Sequence, residues 1–517
     1  MTQALGARAL VSYPDARYEI EQEKRRRWLV YAAVVLFAIV VALMAVASAP
    51  ELFSIVFAVL VVVCVASFLR PVVGLYSLVF LTLVGDIVTT PWWPFTKNMS
   101  SHESAFFIAD SLSISPFEVV LFATLGSFFV RRLGDPTWRF KRGNVFTPLA
   151  VFTAFVFAGL FYGVFVTGGD TRAAVFEVRP LLYIPLVYIL VTNLFETRVQ
   201  YQRLVLIAFV AVSVQSIFAL SYYQKLSGPA REALESLSEH SATIHMNAMF
   251  VFLFGLWLLR GRRWVLATVF VLTPTVVWAY MLSQRRSAMI ALFLGIALLT
   301  VIVYHRRRRA FWWFTPTALV FGGMFVAGTW NAEGGLGLAS TAVKSVIAPG
   351  QLSEKDQRSD LYRQIEAFDL WYTIKKNPLT GVGFGQKFYV PVNLPDIGFF
   401  EFWQYLPHNA VLWIWLKVGF LGLVALIYLL ARAIQLGTRT ALRVSPADAT
   451  ATVAVGVLYI VMLLIYAFVD IAFDVRTTVF LAVCLALCAD FESARSTPNQ
   501  TWAQRALEPR RHEMEPA

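Results

Sequence analysis

Charge is scarce in this chain: 15% of its 517 residues are Asp, Glu, Lys or Arg, against 58% apolar, and mean hydropathy is +0.64. A soluble domain carries about 25% charged residues, so that class is excluded and a polytopic membrane protein is indicated. Cysteine is rarer still. Cys64, Cys484 and Cys488 each sit inside an apolar run. The last two share a helix face but lack the further ligands of a metal centre, so all three read as packing residues. Acidic residues are outnumbered 32 to 44, a formal charge of +12. That excess would suit nucleic acid, but the arginines occur as short clusters between apolar runs, as the positive-inside rule expects. No nucleic-acid partner is expected.

A span takes ~17 to 25 residues, and apolar runs of about that length number about 14, near 28–47, 51–69, 72–90, 114–130, 146–167, 180–195, 204–222, 246–259, 264–283, 287–304, 311–328, 409–430, 450–469 and 474–489. The expected fold is all-α, a polytopic transmembrane bundle. Residues 1–27 contain charges of both signs and no apolar core, so they read as a cytoplasmic tail and not a signal peptide. With Lys24 to Arg27 inside, alternate connections carry Arg70, Arg131/Arg132 with Arg139, Lys141 and Arg142, Arg198 and Arg203, Arg260/Arg262/Arg263, Arg306 to Arg309, and Arg432 with Arg439 and Arg443. All fall on one side, which makes both termini cytoplasmic. The Arg306 to Arg309 run reads as a topology signal, with binding of anionic lipid headgroups as the alternative.

One polar segment interrupts the bundle on the other side, from about Asn331 to Asn409. Within it Leu361, Ile365, Phe368 and Tyr372 recur at helical intervals, Pro378 closes the pattern and TGVGFG follows as a turn. The spacing predicts an amphipathic helix whose apolar face packs on the bundle or lies in the membrane interface. A loop of this length with its own helix is expected to be functional. Other outside segments hold the Trp92/Trp93 pair, an interfacial anchor, and Asp170, Arg172, Glu177 and Arg179 at a membrane entry. His240 and His245 have no partner by spacing and read as solvated loop residues.

Several charges stand where topology does not want them. Arg285 and Arg286 lie at the outer end of a span, where an arginine must reach water, pair or bind an anion. Asp470 and Asp474 are candidate ion-pair partners; an anionic ligand is the other reading. Arg179, Arg286 and Arg358 approach one face from different segments, and guanidinium groups bind phosphate oxygens bidentately. His408, between Pro407 and Asn409 where the loop re-enters the membrane, is the candidate proton acceptor. Asp86 and Glu118, ionisable and at span edges, are further suspects, Asp86 also as the partner of an arginine.

KNPLTGVGFGQKF, LPHNAVLWIWLKVGFLGLVALIYLL, SQRRSAMIALFLG, DQRSDLYRQIEAF and VRPLLYIPLVYIL occur in that family's order around the long loop, and with them the chain resembles the O-antigen ligase and O-antigen polymerase family. The resemblance covers residues 145–490, including the loop 329–408, and leaves 28–144 as additional N-terminal helices and 491–517 as a cytoplasmic tail. It departs at Arg285 and Ser287, where small residues and glycine are common. It implies a GT-C-like inverting glycosyltransferase of the cell membrane with no metal or other cofactor. The donor would be a glycan on undecaprenyl pyrophosphate and the acceptor a lipid A-core or growing polysaccharide. A matching absence is that no Asp-x-Asp pair stands in an outside loop, and arginines can stabilise a departing pyrophosphate where a divalent ion does so elsewhere. In that scheme Arg286 and Arg179 grip the pyrophosphate, Arg358 adds positive charge, and His408 accepts the acceptor's proton with Asn409 orienting it. Arg172, Arg285, Asn409, Asp470 and Asp474 complete the expected substrate-binding set. Polymerase and protein-glycosylating activities are alternatives. A transporter or flippase is the alternative from another class, disfavoured because no internal repeat is apparent and the polar residues gather at one face.

Overall fold

The computed structural model describes residues 52–133, 138–232, 236–394 and 402–495, and the tail 1–27, the first expected span and residues 496–517 lie outside them. Sixteen α-helices follow one another without a strand among the described residues. They are α1 (Leu52–Leu69), α2 (Pro71–Val84), α3 (Pro116–Leu133), α4 (Phe146–Phe161), α5 (Thr171–Leu194), α6 (Arg198–Lys225), α7 (Gly228–Glu232) and α8 (Ala242–Leu259). The second half comprises α9 (Arg263–Ser283), α10 (Arg286–Arg306), α11 (Arg308–Gly328), α12 (Gly334–Ile347), α13 (Glu354–Lys376), α14 (Ala410–Arg443), α15 (Ala447–Ala467) and α16 (Val475–Asp490). Eight of these, and α4 together with the helical turn that continues it to Val166, are long and apolar enough to cross a membrane by length and composition.

Each of the thirteen expected spans from 51–69 onward meets a helix, but several ends move for local reasons. The run expected to reach residue 90 stops at Val84, because the Asp86 carboxylate accepts from the backbone N–H groups of Val88 and Thr89 and turns the chain. The run expected to begin at 180 begins at Thr171, where Asp170 caps it through the N–H groups of Arg172 and Ala173. Pro180 and Pro185 are carried inside that helix.

Helices α8, α15 and α16 form the centre, buried along nearly their whole lengths. α15 packs on α8 and α14, and α16 on α5 and α15. Alanines and Gly456 on α15 permit that close approach. α9 and α11 lie at the periphery and expose Trp278, Phe270, Phe321 and Leu319 outward, as lipid-facing helices do. α1 to α3 pack together and join the bundle through α2 on α6.

The two ends of the bundle are chemically different. The lower residue numbers of α8, α10, α14 and α16 share one end with the loop helix α13; the opposite ends of the same helices carry the expected topology arginines. There Arg306 donates to the carbonyls of Leu442 and Val444 at 2.9 and 2.7 Å, and Arg307 to Leu258 at 2.7 Å. These arginines close helix termini.

Candidate active site at the loop end of the bundle

The glycine turn after α13 places the start of α14. Gly381, Gly383 and Gly385 have φ of 66, 86 and 77°, in the region that only glycine enters freely. A Cβ on Gly383 would lie 2.4 Å from Gly163 Cα, and one on Gly381 2.2 Å from the Leu416 carbonyl oxygen. The turn is thus pressed between α4 and α14. It is held by a fully buried ion pair, Lys417 Nζ to Glu177 Oε1 at 2.8 Å, with Lys417 also donating to the Gln386 carbonyl at 2.6 Å. Glu177 in turn accepts from the Gly385 N–H at 2.6 Å and from Trp413 Nε1 at 3.3 Å. Such a pair is costly to break from one side, because the remaining charge is stranded.

His408 stands just before α14, its side chain 22% exposed. Its Nδ1 lies 3.2 Å from both oxygens of Glu366, and Glu366 also accepts its backbone N–H at 2.9 Å. Glu366 therefore orients the imidazole. Asn409, expected to do so, instead caps α14 by accepting from the Leu412 N–H at 2.9 Å. The Nε2 of His408 has no hydrogen-bond partner among the described residues, which leaves it the ring nitrogen open to a ligand.

Glu366 arrives on α13, and the way that helix sits reverses one expectation. Its protein-facing residues are Glu366, Asp369, Leu370, Thr373 and Ile374, while Leu361, Phe368 and Tyr372 of the expected packing face are exposed. The apolar stripe looks away from the protein, leaving the interfacial reading for it. Burial pushes the Asp369 carboxyl above its ordinary range. Arg286 clamps the first turns of α13: its Nη1 and Nη2 meet the Asp360 carboxylate at 3.0 and 2.9 Å, and its Nε lies 3.4 Å from Asp356. Its ion-pair partners are thus these loop-helix aspartates, where the sequence suggested Asp470 or Asp474. Arg363 lies 3.7 Å from the same Asp360.

A second imidazole faces the first. The rings of His240 and His408 are edge to face with centroids 5.8 Å apart, and Tyr362 packs on His408 from α13 at 5.5 Å. His240 Nδ1 lies 2.5 Å from Oδ1 of Asp470, which is fully buried. Burial alone would raise Asp470, but His240, Arg285 and Arg363 outweigh it and hold the carboxyl below its ordinary value. Burial pushes His240 down, against the pull of Asp470. The Arg285 side chain makes no hydrogen bond or ion pair to another described residue, and its buried Nε is unpartnered, as is Oδ2 of Asp470.

The remaining expected residues lie apart from this cluster. Arg179 contacts Glu118 at 3.2 Å and Asn98 at 2.7 Å, and donates to the Ser113 carbonyl, pinning α5 to the segment between α2 and α3. Arg172 lies over the Phe402 ring at 5.8 Å. Arg358 is 81% exposed and pairs along its own helix with Glu354. Asp474 caps α16 through the Thr477 N–H and accepts from the Ser241 hydroxyl. Asp86 meets Arg476 at 3.4 Å. His245, expected in a solvated loop, is buried in α8, with Nδ1 2.8 Å from the Ser241 carbonyl and Nε2 3.2 Å from the Tyr459 hydroxyl. Sequence reasoning missed Glu366, Arg363 and the roles of His240 and Lys417. Glu366 had a signal: an acid at helical spacing from Tyr362 and Asp369, beside the apolar stripe.

Residues 274–427 match the family model described as O-antigen ligase, a stretch that holds Arg285, Arg286, α13, the glycine turn and His408. The chain is also similar to an O-antigen ligase of Salmonella typhimurium (strain LT2), 34% identical over 86 residues. That alignment covers 15% of this chain and 21% of the relative, about a fifth of its length.

Proposed function

We propose that the chain, which is similar to O-antigen ligases over residues 274–427, transfers a glycan from undecaprenyl pyrophosphate to a lipid A-core acceptor at the outer face of the cell membrane. The observation that carries this reading is the His408–Glu366 pair beside Arg285, Arg286 and Arg363, at the end of the bundle opposite the topology arginines. The donor enters from the outer leaflet. An acceptor hydroxyl oxygen attacks the anomeric carbon and its proton passes to His408 Nε2. The bond from that carbon to the pyrophosphate oxygen breaks on the opposite face, and the electron pair leaves with the diphosphate. Glu366 holds the imidazole in the tautomer with Nδ1 protonated and stabilises the imidazolium that forms, while the nearby guanidinium groups offset the charge developing on the leaving group. Arg286, already committed to Asp356 and Asp360, seats α13 over the site. No step calls for a metal or a nucleotide sugar. Arg179 and Arg358, given to the diphosphate by the sequence reading, are assigned no direct part here.

Purified protein in proteoliposomes tests this. With undecaprenyl-pyrophosphoryl glycan and core-bearing lipid, a single jump in acceptor mass is expected. A product ladder from donor alone would make the protein a polymerase. Silence from a folded protein with both acceptors would overturn the glycosyltransferase reading in favour of a transporter.

A further inference from the structure

The site holds two imidazole–carboxylate pairs where the proposed transfer needs one base, and the second is built from residues outside the stretch that the family model matches. His240 comes from the segment before α8 and Asp470 from the segment after α15. The Tyr466 hydroxyl fixes the backbone by donating to the His240 carbonyl. The two halves differ in charge. Around His408 stand Glu366 and Tyr362; around His240 stand Asp470, Arg285 and Arg363, with His408 itself across the gap. Three polar atoms in the His240 half are buried without a hydrogen-bond partner, Arg285 Nε, Asp470 Oδ2 and His240 Nδ1, the last of which meets Asp470 Oδ1 by ion-pair distance alone. Buried groups of this kind are rare unless a ligand or water completes them, and of these the Arg285 N–H is the donor that an anion can complete, whereas the Asp470 oxygen accepts and calls for a donor such as water.

We propose that His240, as an imidazolium held by Asp470, and Arg285 together bind the diphosphate of the lipid-linked donor, leaving His408 to serve the acceptor. This rests on the transfer reading above and names the two residues that touch its leaving group. The division follows from charge. A base is best placed beside Glu366, which favours the protonated ring as it forms, and an anion beside the unpaired Arg285. Because Nδ1 of His240 faces Asp470, Nε2 is the atom left for the ligand, and it donates only when the ring carries two protons. In the free protein burial and Arg285 oppose that second proton; a diphosphate supplies the missing negative charge. Binding therefore takes up a proton. The groups that face His240 from the packed elements are Asp470, Arg285, Arg363, His408 and Tyr466, and among them His240 is the one whose protonation the ligand demands.

The test is binding of glycan-capped undecaprenyl diphosphate, whose diphosphate diester has no group that titrates there, to the full-length protein in detergent without acceptor lipid across pH 5.5 to 8.5, roughly the range in which histidine titrates. The expected result is affinity that weakens as pH rises, by about tenfold per unit above the histidine's titration point, the slope of one bound proton. Arg285→Gln should weaken binding by about ten- to a hundredfold, the size of a charged hydrogen bond. His240→Gln should weaken it similarly and flatten the pH dependence. The Arg285 side chain makes no direct hydrogen bond or ion pair among the described residues, so its variant keeps the test open if His240→Gln does not fold. Tight binding by wild type, unchanged in Arg285→Gln, or a pH slope that survives His240→Gln, overturns this assignment and leaves the transfer reading standing. No binding by folded wild type overturns both.

Discussion

The two ends of the bundle spend arginine differently. At the end where α10 and α14 finish, Arg306, Arg307, Arg131 and Arg198 donate to main-chain carbonyls at helix termini, and Arg262 pairs with Asp448 at 3.1 Å. Those guanidiniums close the fold. At the end where the same helices begin, Arg286 is shared between two aspartates of a loop helix, the Arg285 side chain has no direct partner among the described residues, and two histidines each sit on a buried carboxylate. Local composition is similar, so the distinction lies in what each cation meets. An arginine that satisfies carbonyls is fixed in place by the fold, whereas one whose side chain meets no protein partner has all its donors free for a ligand.

The comparison breaks most sharply at His408. His408→Gln should lower transfer by about 10²- to 10⁴-fold, the range for loss of a general base, with the melting temperature and donor binding retained. A variant with unchanged turnover would remove the base from this end altogether. Glu366→Gln comes next, because an amide still accepts from the imidazole but no longer carries charge. A loss of about tenfold is expected, the difference between a charged and a neutral hydrogen-bond acceptor. It should appear in kcat and not in KM, since Glu366 acts through His408. Equal losses in both constants would make Glu366 part of donor binding.

The helices and their order were legible because hydrophobic periodicity is local, and the glycine turn because its spacing forces positive φ at Gly381, Gly383 and Gly385. His408 and the Arg285/Arg286 pair were visible as charges out of place. The partners were not. Glu366 is 42 residues from His408, and Asp360 is 74 from Arg286, separations that sequence alone does not bridge. The apolar stripe of the loop helix left packing and interfacial placement both open, and the structure leaves the second, because the side it turns inward mixes Glu366, Asp369 and Thr373 with Leu370 and Ile374. An inward Glu366 looks unfavourable until His408 is known to meet it. The N-terminal helices posed a similar difficulty: Arg179 reads as a site residue by motif, and only the fold shows its contacts with Asn98 and Glu118.

From the closing end, Arg306→Ala removes two hydrogen bonds, to the carbonyl of Leu442 in the last turn of α14 and to that of Val444 just after it. The expected cost is about 1–2 kcal/mol of stability, read as a lower melting temperature in detergent, with transfer per folded molecule unchanged. A lowered turnover in protein that stays folded would mean the two ends are coupled along α10, and the contrast drawn between them would fail.

The smallest expected effect belongs to Arg358, the residue the sequence motif singled out on α13. It is 81% exposed, and its contact with Glu354 is a single 3.4 Å ion pair one turn apart on the helix surface. Pairs of that kind contribute about 0.3–0.5 kcal/mol and fade with salt, so Arg358→Ala should leave transfer within roughly twofold of wild type, as surface changes generally do. Arg363, one turn and a half further on, meets Asp360 near the His240 pair, and its side chain is 26% exposed. The two arginines therefore separate two states of the loop helix. Arg363→Ala reducing transfer while Arg358→Ala does not would fit α13 as it stands here. A loss of more than tenfold for Arg358→Ala would require α13 to rotate when donor arrives, turning its exposed face inward and releasing Asp360 from Arg286.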